Sequence, residues 1–234
     1  MLLVLPVGDN NPRKRTPVAN YLLLAANILV FFFVYSRGLE HFQNVVRTYG
    51  LIPSEFQQDP WWAFFHNGWK LLTPLFLHGS IPHLLGNMLF LWIAGDNVED
   101  KLGHLPYLGF YLLAGVVGNV GHIMMVDGPA AMMPVVGASG AISGVMGAYL
   151  VWFPRRRIKF WYFFFFLMGT FTVPSLYAIG FWFIEQLVLG SKAMLGAASG
   201  VAYWAHIGGF IFGALAILVY KTANEVKQIR GSST

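Results

Sequence analysis

The sequence predicts an all-α integral membrane protein, a bundle of six transmembrane helices with both termini in the cytoplasm. The chain of 234 residues is 56% hydrophobic, and only 11% of its residues are charged. A soluble fold of this size cannot bury so much apolar surface. Long uncharged runs alternate with short charged segments, and basic clusters fall on alternate connections, as the positive-inside rule requires.

Composition also narrows the possible chemistry. The chain has no Cys, which excludes disulfides, thiolate catalysis and zinc sites of the Cys type. The net charge of +5 lies mainly on the predicted cytoplasmic side, so we expect no nucleic-acid partner. The apolar run at residues 1–5 is too short for a signal-peptide core, and we expect the first span to be retained.

The first span follows a basic cluster at residues 13–15. The uncharged run from Val18 to Tyr35 is, at about 1.5 Å per residue, just long enough to cross the hydrocarbon core. The basic cluster places the N-terminus in the cytoplasm. Residues 1–15 are therefore predicted to be a cytoplasmic segment that precedes a six-helix domain at 16–221.

A long connection follows at residues 36–70. It mixes charged residues with a cluster of aromatic ones, Trp61, Trp62, Phe64, Phe65 and Trp69. Trp and Phe favour the boundary between water and hydrocarbon. We therefore predict a large first outer loop whose aromatic part is embedded in the outer interface of the bilayer.

The next three spans follow from breaks in the uncharged sequence. Two prolines and a glycine interrupt the run 71–95, so helix two is predicted to begin near Ile81 and to end at the charged segment 96–101. Helix three, over 105–126, returns to the outside. Helix four then runs inward from about Ala138 to Phe153.

The densest basic cluster, residues 154–159, falls where this count of spans predicts a cytoplasmic loop. The apolar run 160–189 that follows is too long for one simple span, and a glycine and a proline divide it. We expect residues 160–171 to dip into the inner leaflet or to lie on it. Helix five is predicted from about Pro174 to Leu189.

Helix six completes the predicted topology. A small outer loop at 192–200 precedes it, the helix runs from about Val201 to Tyr220, and a cytoplasmic tail at 222–234 follows. Helices two, four and six then all enter from the outside, so their N-terminal halves lie at one depth.

Polar residues that membrane spans ordinarily avoid occur at this common depth. They are His83 and Asn87 on helix two, Ser139 at the start of helix four, and His206 about one turn into helix six. Because polar groups in lipid are costly, these side chains are predicted to face the bundle interior. His83 and Asn87 are four residues apart and therefore share one helical face.

This set of side chains favours acyl-transfer chemistry with Ser139 as the nucleophile. Imidazole can take a proton from an attacking hydroxyl and return it to a leaving amine, and His206 is the candidate base, with His83 the second choice. The oxyanion that forms needs fixed donors, which the Asn87 amide, the His83 ring N–H and the Ser139 backbone N–H can supply. We expect no cofactor and no metal site.

Three sequence elements carry a family resemblance. They are residues 76–79 (FLHG) with 83–88 (HLLGNM), residues 137–140 (GASG), and residues 205–209 (AHIGG). In this order, on helices two, four and six, they resemble the rhomboid family of intramembrane serine proteases, and the similarity extends over nearly the whole chain.

The resemblance implies a catalytic dyad of Ser139 and His206 without a third acid, and an oxyanion hole that uses His83 and Asn87. It implies hydrolysis of transmembrane proteins, with single-span proteins and membrane lipid as partners, near the outer membrane boundary. Helix five is expected to act as a lateral gate. Many family members have an aromatic residue one turn after the serine, packed on the catalytic His, but this chain has Ser143 there.

Two other classes of function compete with this interpretation. A non-proteolytic relative that binds transmembrane helices is disfavoured because all four site residues are present. A metal-dependent hydrolase or a transporter would use histidines such as His122 together with Glu185, but the zincin spacing and inverted repeats are missing. We interpret His122 and Glu185 as interface or cavity residues, and Glu185 as a candidate influence on gating.

The predicted location follows from the same topology. We expect an integral multi-pass protein of a bacterial inner (plasma) membrane, with the active site open to the extracytoplasmic side.

Overall fold

The computed structural model describes residues 2–195 and 200–231. The predicted outer loop at 192–200 and the predicted tail at 222–234 therefore lie partly outside the described residues. Most of the chain is helical. The α-helices, in chain order, are α1 (Val18–Tyr35), α2 (Leu39–Tyr49), α3 (Pro53–Gln57), α4 (Pro60–Asn67), α5 (Ile81–Leu102), α6 (His104–Met125), α7 (Gly128–Ala131), α8 (Ser139–Trp152), α9 (Ser175–Met194) and α10 (Tyr203–Gly231).

The six predicted spans correspond to α1, α5, α6, α8, α9 and α10. The predicted bounds of the first helix and the predicted start of the second are confirmed. By length and composition, three of these helices can cross a membrane, namely α1, α6 and the part of α10 from Tyr203 to Glu225. Within the described ranges α10 continues to Gly231, well beyond the predicted end at Tyr220.

Helix α8 lies at the centre of the bundle. It has only 14 residues, and most of its side chains are buried by α5, α6 and α10. Its glycines allow the neighbouring helices to approach closely: a Cβ on Gly144 would lie 2.5 Å from Cβ of Ala114 on α6. Small residues commonly have this role where membrane helices pack together.

The first loop is a folded unit of short helices rather than an irregular connection. It extends beyond its predicted end at residue 70, since it contains α2, α3 and α4 and two turns of 3-10 helix, Gly68–Leu71 and Thr73–Phe76. The Lys70 ammonium and the Glu55 carboxylate form an ion pair at 2.7 Å. Trp61 and Phe65 of α4 are both more than three-quarters exposed, which fits the predicted contact of this loop with the membrane interface.

The prediction of an all-α fold is wrong for two segments of the chain. Strand β1 (Leu2–Asp9) pairs antiparallel with β2 (Arg157–Phe164), which pairs antiparallel with β3 (Leu167–Pro174). The strands β2 and β3 are rich in aromatic and β-branched residues, which pack well on a pleated surface. Hydropathy alone does not reveal this strand pairing, and it predicted only that residues 160–171 dip into the inner leaflet or lie on it.

The N-terminal segment is fixed to the end of α5 at the far end of the bundle from Ser139. The Glu99 carboxylate accepts hydrogen bonds from the backbone N–H groups of Ala19 and Asn20 at 2.9 and 2.7 Å. The Arg13 guanidinium forms an ion pair with Asp96 at 3.0 Å. The contacts of Glu99 satisfy two of the first N–H groups of α1, which have no partner within the helix.

Candidate active site

Ser139 and His206 are in direct contact. Ser139 is the first residue of α8, and its Oγ lies 2.8 Å from Nε2 of His206 on α10. Both residues are half-buried. The structure therefore brings together the predicted nucleophile and the predicted base, which are 67 residues apart in the sequence.

The close packing of α8 and α10 brings the side chains of Ser139 and His206 within hydrogen-bond distance. A Cβ on Gly209 would lie 2.0 Å from the carbonyl oxygen of Gly140, and one on Gly213 would lie 2.0 Å from that of Gly144. Only glycine permits such contact between helix backbones.

His83 lies beside the turn that leads into α8. A Cβ on Gly137 would lie 2.8 Å from both Cε1 and Nε2 of His83 and 3.5 Å from Oγ of Ser139. The Ser80 hydroxyl accepts a hydrogen bond from the His83 backbone N–H at 3.3 Å and caps the start of α5. The imidazole edge of His83 therefore lies close to the Ser139 hydroxyl.

Asn87 lies one turn further along α5 and is buried. Its amide Nδ2 has no hydrogen-bond partner among the described residues. A buried donor without a partner costs free energy unless a ligand or water satisfies it. Asn87 is thus a free donor on the same helical face as His83.

The turn at 137–138 is held by the first loop. The backbone N–H of Gly137 donates to the carbonyl of Pro74 at 2.9 Å, and Leu51 and Val135 exchange backbone hydrogen bonds. Gly137 itself has φ of +135°, a backbone conformation that residues other than glycine rarely adopt. The residues of the first loop therefore set the position at which α8 begins.

The imidazole of His206 has a second hydrogen-bond partner that sequence reasoning missed. Its Nδ1 lies 2.8 Å from Oε1 of Gln186 on α9, and Gln186 is only 5% exposed. The ring of Trp182, also on α9, lies 6.0 Å from the His206 ring. The available signal was an amide within a mostly apolar helix, but the polar residue predicted to matter on this helix was the neighbouring Glu185, which is exposed.

Ser143 occupies the position, one turn after Ser139, at which many relatives have an aromatic residue. Its Oγ donates a hydrogen bond to the backbone carbonyl of Ser139 at 2.6 Å. This contact satisfies the hydroxyl within α8. The residues on α9 lie beside His206 instead.

The remaining histidines near the site have distinct surroundings. His78 is buried, packs edge-on against His83 with ring centroids 5.3 Å apart, and has no hydrogen-bond partner for either ring nitrogen among the described residues. Burial, with the nearby His83 ring, lowers the pKa of His78 to about 3, so this ring is neutral at physiological pH. His122 is buried on α6. In the described part of the chain, no group of three His, Asp or Glu side chains is arranged to hold a metal ion.

The comparisons with known proteins all indicate the same family. The family model described as Rhomboid domain matches residues 66–222. Rhomboid protease GluP of Bacillus subtilis (strain 168) is 35% identical over 134 residues, which cover 57% of this chain and 24% of that protein. RHOMBOID-like protein 4 of Arabidopsis thaliana is 32% identical over 150 residues, covering 63% of this chain and 33% of that protein.

A mitochondrial relative shows a longer match. Presenilin-associated rhomboid-like protein, mitochondrial, of Homo sapiens is 30% identical over 193 residues, which cover 82% of this chain and 45% of that protein. The matched part of the chain thus spans less than half the length of each of these three relatives.

Proposed function

Because the chain belongs to the rhomboid family, we propose that it is an intramembrane serine endopeptidase that uses Ser139 as nucleophile and His206 as general base and acid. The observation that supports this most directly is the 2.8 Å contact between Ser139 Oγ and His206 Nε2 at the start of α8. A nucleophile and a base within hydrogen-bond reach are the geometric requirement for this chemistry.

In the proposed acylation step, Nε2 of His206 accepts the proton of the Ser139 hydroxyl as Oγ attacks the scissile carbonyl. A tetrahedral intermediate forms, with one new C–O bond and a negative charge on the former carbonyl oxygen. The imidazolium then gives its proton to the leaving nitrogen, and the C–N bond breaks. An acyl ester on Ser139 and a free amine remain.

The oxyanion of this intermediate would be stabilised by donors that surround the start of α8. The backbone N–H of Ser139 is in the first turn of the helix and so has no partner within it. The Asn87 amide is buried and unpaired among the described residues, and the His83 ring edge lies beside Gly137. The positive end of the α8 dipole adds to the same field.

Deacylation would reverse the roles of the two residues. A water molecule gives a proton to His206 Nε2 while its oxygen attacks the acyl ester. Collapse of the second intermediate breaks the ester bond and returns the proton to Ser139 Oγ. The free carboxylic acid leaves, and the enzyme is regenerated.

We propose further that α1, α5, α6, α8, α9 and α10 are six membrane spans with both termini cytoplasmic. Residues 16–221 would form the protease domain, flanked by a cytoplasmic segment at 1–15 and a tail at 222–234. The active site would then open to the extracytoplasmic side of a bacterial inner membrane. The exposed aromatic residues of α4 support a partly embedded first loop at the same end of the bundle as Ser139.

The substrates would be single-span transmembrane proteins cleaved near their outer membrane boundary. The test is incubation of the purified protein in lipid with a single-span protein whose outer boundary carries small, helix-weakening residues. We expect cleavage by the wild type that Ser139→Ala abolishes and that a chelator does not affect. Cleavage that persists in Ser139→Ala, or that chelation removes, would overturn the proposal.

The alternative is a non-proteolytic binder of transmembrane helices. It predicts that wild type and Ser139→Ala bind such a substrate equally well and that neither cleaves it. The same incubation, analysed for binding as well as for cleavage, separates the two functions.

A further inference from the structure

We infer, on the basis of the proposed function, that Gln186 is the positioning residue that fixes the tautomer and orientation of His206. Its Oε1 lies 2.8 Å from Nδ1 of His206, while Nε2 of the same ring lies 2.8 Å from Oγ of Ser139. The three side chains form a continuous chain of hydrogen bonds that joins α9, α10 and α8. Gln186 thus stands where a third acid would stand in a triad.

The chemistry of the amide oxygen determines which nitrogen of His206 carries the proton. Oε1 can only accept, so Nδ1 must be the protonated nitrogen and donate to it. The lone pair of Nε2 then faces the Ser139 hydroxyl, as a general base requires. In the opposite tautomer the unprotonated Nδ1 would face Oε1, so that two acceptors would oppose each other. The protonated Nε2 would then have no lone pair with which to accept the serine proton.

The burial of Gln186 distinguishes it from its neighbours on α9. Gln186 is 5% exposed, whereas Ile184 and Val188 are each about half exposed, at 58% and 48%. A buried amide is costly unless its polar atoms are paired, and its oxygen is paired with His206. An apolar residue would fill this place at lower cost if packing were the only requirement.

The position of α9 is fixed against α10 by aromatic contacts beside the same hydrogen bond. The rings of Phe183 and Phe210 are stacked with centroids 4.2 Å apart, and Trp182 lies near both Phe210 and His206. Ser139 lies on α8 and His206 on α10, but the acceptor for Nδ1 lies on α9. A displacement of α9 that breaks the hydrogen bond between Gln186 and His206 therefore also leaves the His206 ring free to rotate.

The charge of the acceptor has a measurable consequence. During acylation His206 becomes positively charged, and an amide oxygen stabilises that charge through its dipole alone. A carboxylate at the same place would stabilise the imidazolium more strongly and raise the pH at which His206 loses its proton. An alkyl group would stabilise it less and lower that pH.

The test compares Gln186→Leu and Gln186→Glu with wild type by the pH dependence of kcat/KM on one single-span substrate in lipid. The acid limb of this profile reports the base of the free enzyme. Gln186→Leu is expected to lose about tenfold or more in kcat with KM little changed, and its acid limb should move to lower pH. Gln186→Glu keeps an acceptor, so it should recover part of the activity and move the acid limb to higher pH.

Ile184→Leu is the matched control, since it changes an exposed residue of α9 two positions from Gln186 and leaves the contact with His206 intact. It should follow the wild-type profile. Thermal unfolding of each variant in the same lipid verifies that the bundle is folded.

A Gln186→Leu enzyme with wild-type kcat and an unmoved acid limb would overturn the inference. Equal losses in the Leu and Glu variants with unmoved limbs would also overturn it, because they would indicate a packing role. Ser139→Ala separates this result from the proposed function: if that variant still cleaves, the dyad itself is wrong, whereas an inactive Ser139→Ala beside an unaffected Gln186→Leu rejects only the role of Gln186.

Discussion

The imidazole of His83 lies against the backbone of Gly137. A Cβ at residue 137 would stand 2.8 Å from two ring atoms of His83 and 3.5 Å from Oγ of Ser139. Gly137 also has φ of +135°, a conformation that side chains rarely adopt. Glycine at residue 137 therefore allows the imidazole of His83 to lie beside the turn that leads to Ser139.

Gly137→Ala is accordingly expected to lose most of its proteolytic activity. The added methyl group would collide with the His83 ring and would place the backbone in a strained conformation, at a cost of roughly 1–3 kcal/mol. The measurement is kcat/KM on a single-span substrate. Gly86→Ala on α5 is the control, because a Cβ there meets nothing within 4 Å. Full activity in Gly137→Ala would contradict the need for glycine beside His83.

Asn87→Ala should lower kcat by about 100- to 1,000-fold and leave KM nearly unchanged. The reason is that the loss of one oxyanion donor destabilises the transition state more than the bound substrate. Asn87→Asp provides a sharper comparison, since it keeps the shape and replaces the donor with an acceptor. Near-normal kcat in the Asp variant would show that the buried, unpaired amide of Asn87 is not a donor to the oxyanion.

Gly213→Ala is expected to destabilise the bundle by roughly 1–3 kcal/mol, because overpacking in a close contact forces the backbones apart. A Cβ on Gly213 would lie 2.0 Å from the carbonyl oxygen of Gly144 on α8. Thermal unfolding in detergent measures the effect. Gly180→Ala on α9, where a Cβ meets nothing within 4 Å, serves as control. Equal unfolding temperatures for the two variants would contradict the close packing of α8 and α10.

The tip of the β2–β3 hairpin is predicted to contact lipid. Phe166 is 94% exposed and is flanked by the exposed Phe165 and Leu167, and contact with lipid would remove these side chains from water. The chain has no Cys, so Phe166→Cys provides a single site for a spin label.

In lipid vesicles the label at residue 166 should be more accessible to dissolved oxygen than to a water-soluble nickel chelate. A label at the exposed Glu225, introduced as Glu225→Cys, is the reference for the end of α10. A label at 166 that is reached by the nickel chelate at least as readily as the one at 225 would place the hairpin tip in water.

The sequence was sufficient to predict the six longer helices that form the bundle and the contact of Ser139 with His206, but not the short helices of the loops. Uncharged length defined the first helix, Val18–Tyr35, and helix-breaking residues marked the start of α5 at Ile81. The order of the spans then placed the N-terminal ends of α5, α8 and α10 at one level. Because polar side chains avoid lipid, the direction in which Ser139 and His206 point also followed.

Two features could not be predicted for physical reasons. The pairing of β1 with β2 joins segments about 150 residues apart, and neither segment alternates clearly between polar and apolar residues. The role of Gln186 depends on the rotation of α9 about its own axis, which determines whether residue 185 or 186 faces His206. Hydropathy gives no information on that rotation, because the apolar residues of α9 surround the helix.

The central claim is that His206 activates Ser139 as a nucleophile, and covalent labelling with a serine-directed phosphonate tests it most directly. Peptide mass analysis of the labelled protein in lipid should find one phosphonyl group, on Ser139. Ser139→Ala and His206→Ala should take no label, and Ser191→Ala, at an exposed serine of α9, should react as the wild type does. Labelling that persists in Ser139→Ala, or that proceeds at the wild-type rate in His206→Ala, would contradict the claim.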